Sequence, residues 1–153
     1  MSNALIHRIL FTNSQVTGLA LRLSAGAIFV AHGAQKLFGS FGGNGLQGTA
    51  QWMASIGLEP GYLMALAAGS AEFFGGIALL IGLLTRPAAL MLAITMLVAI
   101  MGVHLPNGFF MSNNGYEFAL ALLGMAVALV FNGGGKYSLD RKLSGMTTNN
   151  NLK

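Results

Sequence analysis

The sequence predicts an all-α fold, an integral membrane four-helix bundle with short interfacial helices at the N-terminus and in the first outer loop. Of the 153 residues, 54% are hydrophobic and only 8% are charged, whereas an average soluble domain is about 25% charged. A soluble chain of this length would have too few charges to cover its surface. Four long apolar stretches are also separated by breaks rich in glycine, proline and asparagine. Composition and hydropathy therefore predict one membrane-embedded domain.

Residues 1–18 are predicted to form an N-terminal interfacial segment. The apolar stretch within it, residues 4–11, is short and is interrupted by His7 and Arg8. It is therefore too short and too polar to span a bilayer. The segment lacks a clean cleavage site, so we do not interpret it as a removed signal peptide.

The membrane bundle is predicted over residues 19–132. A helix of about 20 residues crosses a hydrocarbon core of about 30 Å, and the apolar stretches have roughly this length. The turn at residues 85–87 contains a threonine, an arginine and a proline, which makes the second and third spans an antiparallel hairpin. The predicted spans are residues 19–38, 62–84, 87–105 and 116–131.

The loop after the first span contains a predicted amphipathic helix over residues 46–56. Leu46, Ala50 and Met53 share one side of it. Trp52 suits a boundary between membrane and water. This helix is therefore expected to lie at the outer interface.

Lysine and arginine positions predict the orientation of the chain. Apart from Lys36 at the edge of the first loop, they fall at the N-terminus, in the loop between the second and third spans, and in residues 133–153, and cytoplasmic loops carry an excess of these residues. An even number of spans places both termini on one side, so both are expected in the cytoplasm. Residues 133–153 are predicted to be a basic cytoplasmic tail, with a short polar helix at 138–142 and disorder from residue 147 onward.

Charge and cysteine content exclude several functions. The net charge of +4 does not indicate a nucleic-acid partner, because the basic residues lie at the ends of the predicted spans. The chain has no cysteine, which excludes disulfides, thiolate metal sites, iron–sulfur clusters and thiol redox chemistry carried by the chain itself.

The first predicted span carries a basic, glycine-lined face. Arg22, Gly26, Phe29, Gly33 and Lys36 follow steps of four, three, four and three residues, which places them on one side of a helix. Ionisable groups inside a span are costly and usually face a protein interior or a wet cavity. We therefore expect the other spans to supply polar groups that meet this face.

The expected polar partners lie in the outer half of the bundle. Glu72 is near the middle of its span, where a carboxylate needs a cation, a hydrogen-bonding partner or a proton. Lys36, His104 and Glu117 lie at the outer ends of their predicted helices, and His32 lies about 6 Å deeper than Lys36. These five residues are expected to surround one cavity.

Each of these residues also has a purely structural alternative. Arg22 and Lys36 could extend their charged ends to lipid phosphates. Glu117 could complete a capping box, and His32 could be a hydrogen-bonded packing residue. Glu72 could be only the structural partner of a basic residue in the first span. The sequence leaves these alternatives open.

An ordered set of motifs runs along the predicted spans. Arg22 opens the first span, and HGAQK closes it at residues 32–36. The stretch AEFFGGIALLIGLLTR follows at residues 71–86, and GYEF opens the last span at residues 115–118. This ordered set resembles the DoxX family of small bacterial membrane proteins, and the resemblance covers residues 17–142, nearly the whole chain.

This resemblance implies a four-helix bundle in the bacterial inner (plasma) membrane. Some relatives in the family are associated with quinone-linked oxidation, including a thiosulfate:quinone oxidoreductase subunit. Others are linked to oxidative-stress complexes or to resistance to quinone-like compounds. The family pattern assigns no chemical roles to residues. The positions that match it are Arg22, His32, Lys36, Glu72, Arg86 and Glu117.

The leading hypothesis is a small-molecule site in the outer half of the bundle, with a quinone as the expected ligand. Glu72, His32 and Lys36 are the predicted catalytic residues, because they could donate to the ligand carbonyls and relay protons. No covalently bound cofactor and no metal site is predicted. The chain has no nucleotide fingerprint, so electrons would come from a soluble redox partner or from the bound substrate. The predicted ligand-binding residues are Lys36, Glu117, Arg22, Phe29, Phe73 and Phe74.

Three alternatives remain open at this point. The chain could transport or export a small molecule with Glu72 as the coupling site, and four spans would then require a homodimer. It could be a membrane scaffold that recruits a soluble enzyme through its cytoplasmic tail. A haem held between His32 and His104 is a third alternative.

Overall fold

The computed structural model describes residues 16–150, with side chains described through Ser144. The secondary structure of this part of the chain is helical and contains no strand, which confirms the all-α prediction for it. The predicted interfacial segment lies almost wholly outside the described residues. In chain order, the α-helices are α1 (Thr17–Phe38), α2 (Gly45–Ser55), α3 (Gly61–Ile81), α4 (Thr85–Ala99), α5 (Glu117–Asn132) and α6 (Leu139–Asn150).

Helices α1 and α3 pack antiparallel along a seam of glycines. A Cβ atom at Gly26 would lie 2.9 Å from the carbonyl oxygen of Gly76, and one at Gly76 would lie 2.7 Å from the amide nitrogen of Val30. A Cβ atom at Gly33 would overlap the backbone of Phe73. Small residues permit this close approach of helix backbones in lipid. The predicted glycine-lined face is therefore confirmed as the surface with which α1 contacts α3.

The main hydrophobic core lies between α1, α3, α4 and α5. It is centred on four large side chains that are at most 1% exposed, namely Phe29, Leu79, Leu92 and Leu129. Helix α4 packs against both α3 and α5, and the connection between α3 and α4 is short, so the predicted hairpin is confirmed. Between helices in lipid, such packing contacts are a main source of stability.

Within residues 16–150, two helical stretches are long and apolar enough to cross a membrane. They are Gly61–Ile81, with a mean hydropathy of 1.7, and Thr85–Asn107, with a mean hydropathy of 2.3. The second consists of α4, a π-helical turn and a 3-10 turn. Glu117–Asn132 is a shorter apolar helix. The four-span arrangement stays a prediction.

Two helix ends differ from the predicted span boundaries. The second span was predicted to reach residue 84, but α3 ends at Ile81 because Gly82 adopts the left-handed conformation, with a φ of 69°. The third span was predicted to end at residue 105. Its helical stretch instead continues through the 3-10 turn Leu105–Asn107, which contains a proline near its start.

The helix predicted in the first outer loop is confirmed as α2. It packs against α3 and α1, and Ala50 and Met53 bury against Ala65 in a second, smaller core. The Thr49 hydroxyl donates a hydrogen bond to the carbonyl oxygen of Lys36 at 3.4 Å. Helix α2 is thereby fixed beside the C-terminal turn of α1.

The C-terminal helix is longer than the sequence predicts. A short helix was expected at 138–142, and the structure has one helix, α6, over Leu139–Asn150. The disorder expected from residue 147 stays a prediction. Ser138 caps it by accepting a hydrogen bond from the Arg141 amide at 3.2 Å. The Asp140 amide donates to the Gly82 carbonyl oxygen at 2.9 Å. The chain after α5 therefore packs back onto the connection between α3 and α4.

Candidate functional site

Lys36 and Glu72 form an ion pair between α1 and α3. The Lys36 Nζ atom donates a hydrogen bond to Glu72 Oε2 at 2.5 Å. The Glu72 side chain is 4% exposed, and that of Lys36 is 25% exposed. A buried carboxylate is costly without a partner, and the glycine seam brings α1 close enough to supply one. Of the partners that the sequence left open for Glu72, the structure selects Lys36.

An exposed aromatic surface flanks the pair on one side. Phe73, next to Glu72 in sequence, lies edge-on to Phe38 with ring centroids 5.1 Å apart and to Phe74 with centroids 5.3 Å apart. The Phe38 and Phe74 rings are 62% and 60% exposed. We call Phe38, Phe73 and Phe74 the aromatic triad. An exposed apolar surface on a membrane-spanning helix suits contact with lipid or with an apolar ligand.

An open cleft of about 340 Å³ lies beside Lys36. Its wall includes the end of α1, the connection to α2, and α2 itself. Lys36 therefore contacts both the cleft and the buried carboxylate. The residues that line the cleft are Gln35, Lys36, Gly42, Gly43, Asn44, Thr49 and Trp52.

His32 lies one helical turn before Lys36 and is half-buried. Its ring packs at a tilt against Phe118, with centroids 5.9 Å apart. His104, the other histidine of the predicted haem pair, is also half-buried, and its Nδ1 atom is 2.9 Å from the Asn114 carbonyl oxygen. The two histidines thus have different neighbours.

Arg22 does not join the Lys36–Glu72 pair, and the prediction that groups it with Lys36 in one binding site needs correction. It lies fourteen residues earlier on α1, about 21 Å away along the helix. The Arg22 side chain is 2% exposed, and its guanidinium donates hydrogen bonds to backbone carbonyl oxygens. The acceptors are Leu79, Leu80, Gly134, Lys136 and Tyr137.

Asp140 completes this end of the bundle. Its carboxylate accepts hydrogen bonds from the amides of Leu84 at 2.7 Å and Thr85 at 2.8 Å, which caps α4. Partial burial raises the pKa of Asp140, but the hydrogen bonds from Thr85 and Leu84 and the positive charge of Arg22 outweigh it. The pKa of Asp140 therefore lies below its ordinary value.

Two further predicted ligand-binding residues, Phe29 and Glu117, make contacts that stabilise the fold. Phe29 is 1% exposed and belongs to the main core, so its ring is packed between helices. The Glu117 carboxylate accepts a hydrogen bond from the Met111 amide at 2.6 Å, which closes the loop before α5. Helix α5 begins at Glu117, and its N-cap residue, Tyr116, makes no side-chain capping hydrogen bond. The predicted capping box therefore does not form.

Sequence reasoning missed several residues around the pair. Phe38 joins the aromatic triad, and Asn44 and Thr49 line the cleft. From the sequence, Phe38 was treated only as the end of the first span. Its position two residues after Lys36 could have indicated that it lies near the ion pair. The cleft forms where α2 meets α1, and no local pattern reports that contact.

The fold and the buried pair define a small helical membrane protein with charged groups inside apolar helices. The chain belongs to the DoxX family, whose sequence profile matches residues 18–105. The resemblance inferred from its motifs is thereby confirmed.

Several named relatives are similar over most of their length. A Bacillus subtilis protein named "Putative oxidoreductase CatD" is 35% identical over 115 residues, which cover 75% of this chain and 79% of the relative. The Escherichia coli inner membrane protein YqjF is 34% identical over 134 residues, 82% of this chain and 91% of the relative. The Mycobacterium tuberculosis membrane protein Rv3486 is 32% identical over 152 residues, 92% of this chain and 90% of the relative. No solved structure matches the chain.

Proposed function

We propose that this protein is a quinone-linked oxidoreductase subunit of the bacterial inner membrane, with four spans and both termini in the cytoplasm. The observation that carries the proposal is the position of the Lys36–Glu72 pair. Lys36 lines the open cleft, and Glu72 directly precedes Phe73 of the exposed aromatic triad. An apolar ring surface beside a buried donor and a proton-accepting group is what a quinone site requires.

The residues around the pair fit a quinone in a specific way. The aromatic triad offers ring edges and faces against which a planar apolar ring can pack. Lys36 Nζ has three donor hydrogens, so it can donate to a ligand carbonyl while it remains bonded to Glu72. Glu72 and His32 supply groups that accept and return protons. A bound quinone would supply the two-electron redox chemistry, with electrons from a soluble redox partner.

The relatives support the redox assignment by name only. The Bacillus subtilis relative carries the word oxidoreductase in its name, and the Escherichia coli relative is called an inner membrane protein. Similarity of this kind raises the expectation of redox chemistry without naming a substrate.

The single tryptophan provides a direct test. Trp52 is the only tryptophan in the chain and lines the cleft beside Lys36. A short-chain ubiquinone titrated into the purified protein should quench Trp52 fluorescence with saturation. The Lys36→Met/Glu72→Gln double variant should lose the saturable component and keep only the linear collisional quenching.

A matched control separates ligand binding from changes in the lipid or detergent environment. Leu90 is 52% exposed on α4, away from the pair in sequence, and Leu90→Ala should leave the saturable quenching unchanged. Saturable quenching that is equal in the wild-type protein and the double variant would overturn the proposed site.

A further inference from the structure

A basic surface lies at the Arg22 end of the bundle. Arg86, Arg141 and Lys142 are exposed, and Lys136 is half-buried; we call these four residues the basic end. Asp140 is the acidic residue among them, and its carboxylate is occupied by two backbone amides. The other three acidic residues of the chain are Glu59, Glu72 and Glu117.

The backbone that carries this surface is held from inside the protein. The buried guanidinium of Arg22 donates to the carbonyl oxygens of Gly134 at 3.1 Å, Lys136 at 3.4 Å and Tyr137 at 2.9 Å. A Cβ atom at Gly133 would lie 3.4 Å from Arg86 Nε, so the Arg86 side chain runs beside the same loop. The backbone of Lys136 is therefore fixed before any ligand binds, and Arg86 lies beside the same loop.

Tyr137 sits on this loop in an unusual conformation. Its φ of 60° is in the left-handed region, which bulky side chains rarely occupy. Its ring is 74% exposed and lies 5.0 Å from Lys136 Nζ. An exposed tyrosine beside a cation, with Leu139 two residues later at 41% exposed, has the composition of a membrane-interface anchor.

We infer that the basic end binds the head groups of anionic phospholipids in the leaflet that it faces. Arg86, Lys136, Arg141 and Lys142 contact the lipid phosphates, and Tyr137 and Leu139 lie at the boundary with the acyl chains. Charge complementarity selects this occupant, because clusters of basic residues beside a membrane-spanning helix attract anionic lipid. The inference is independent of any ligand at the Lys36–Glu72 pair.

Native mass spectrometry of the full chain tests this inference. The protein is released from detergent after incubation with an equimolar mixture of phosphatidylglycerol and phosphatidylcholine, and the ratio of the two bound lipids is measured. The wild-type protein should retain phosphatidylglycerol preferentially. A variant with all four basic residues changed to glutamine should lose at least about tenfold in this ratio, since each basic residue contributes roughly fivefold near an anionic surface.

A charge-keeping variant controls for unfolding and for specific geometry. Lys136→Arg/Arg141→Lys/Lys142→Arg should keep the wild-type preference, because each lysine or arginine near an anionic membrane surface contributes through its charge. Thermal unfolding in neutral detergent should be similar for this variant and the glutamine variant. Equal retention of both lipids by the wild-type protein would overturn the inference, and so would a folded glutamine variant that keeps the wild-type ratio.

Tyr137→Asn gives a second, independent readout. Asparagine tolerates the left-handed conformation better than tyrosine, so unfolding in neutral detergent should occur at the same or a higher temperature. Retention of both lipids should nevertheless fall, because the interfacial ring is lost. An unchanged amount of bound lipid would remove Tyr137 from the proposed surface.

Discussion

The two ends of α1 each hold a basic side chain inside an apolar environment, and the two side chains have different kinds of partner. Arg22 is 2% exposed and donates to five carbonyl oxygens from two separate segments. Lys36 is 25% exposed, pairs with one carboxylate and borders an open cleft. The first end is closed by its own backbone, whereas the second has room for another molecule.

This difference shows how a buried charge can serve architecture or chemistry. The planar guanidinium has five donors in a fixed fork, and carbonyl oxygens occupy them, so Arg22 has little capacity left for a ligand. The Lys36 ammonium is a point charge on a flexible stem. Its partner, Glu72, can accept or release a proton, which a carbonyl oxygen does not do at neutral pH. We therefore place ligand chemistry at the Lys36 end.

Removal of the Arg22 guanidinium should have the largest effect on stability. Arg22→Met keeps an apolar stem but leaves buried carbonyl oxygens without donors, so the free energy of unfolding should fall by about 3–5 kcal/mol. Arg22→Lys should recover only part of this loss. Denaturant unfolding in micelles measures both. Arg86→Met, an exposed control at the same end, should change stability by less than about 0.5 kcal/mol. If Arg22→Lys were as stable as the wild-type protein, the positive charge at this position would matter and the planar geometry of the guanidinium would not.

A methyl group in the glycine seam should have the next largest effect. Gly33→Ala places a Cβ atom against the Phe73 backbone and should cost about 3 kcal/mol, because packed backbones cannot separate cheaply. It should also separate Lys36 from Glu72. Gly124→Ala is the matched control, since a Cβ atom there meets nothing within 4 Å. That variant should be neutral or more stable by up to about 1 kcal/mol. Equal unfolding midpoints for the two variants would contradict the close packing of α1 against α3 at Gly33.

Changes in the ion pair should produce a smaller, partner-dependent effect. Lys36→Met leaves the Glu72 carboxylate buried without its cation and should cost about 2 kcal/mol. Lys36→Met/Glu72→Gln removes both charges and should recover most of that loss, because the pair contributes little net stability. Unlike the wild-type protein, neither variant should bind the proposed quinone ligand. A double-mutant cycle of unfolding free energies measures this. Strict additivity would mean that the two side chains do not interact.

The smallest expected effect concerns Asp140 and depends on pH. Its folded-state pKa lies below its ordinary value, so its contribution to stability is present above the unfolded pKa of about 3.9 and is lost as pH falls through the lower folded pKa. Asp140→Asn should cost about 0.5–1 kcal/mol at neutral pH, because the carboxylate is partly exposed. The difference between the two proteins should shrink below about pH 4. Unfolding curves recorded across this pH range measure the difference in unfolding free energy. A difference that grows as the pH falls would contradict the prediction.

Sequence reasoning predicted the parts of this structure that depend on local pattern. The helices, the glycine face of α1 and the need of Glu72 for a partner all follow from spacing and from the cost of buried charge. The surroundings of Arg22 do not, since its acceptors Gly134, Lys136 and Tyr137 are backbone oxygens, and every residue type has one. The cleft and the aromatic triad depend on how α2 and α3 meet the end of α1, which no single segment encodes.

The closed end of α1 also has a consequence for biosynthesis. Two of the Arg22 acceptors lie on α3, 57 and 58 residues later in the chain, and the others lie 112 to 115 residues later. At about 5–20 residues per second, the ribosome makes the last acceptors roughly 6–23 s after Arg22 itself. During that interval the Arg22 guanidinium lacks at least three of its five acceptors. Helix α1 therefore gains its full set of backbone acceptors only after the loop that precedes α6 has been made.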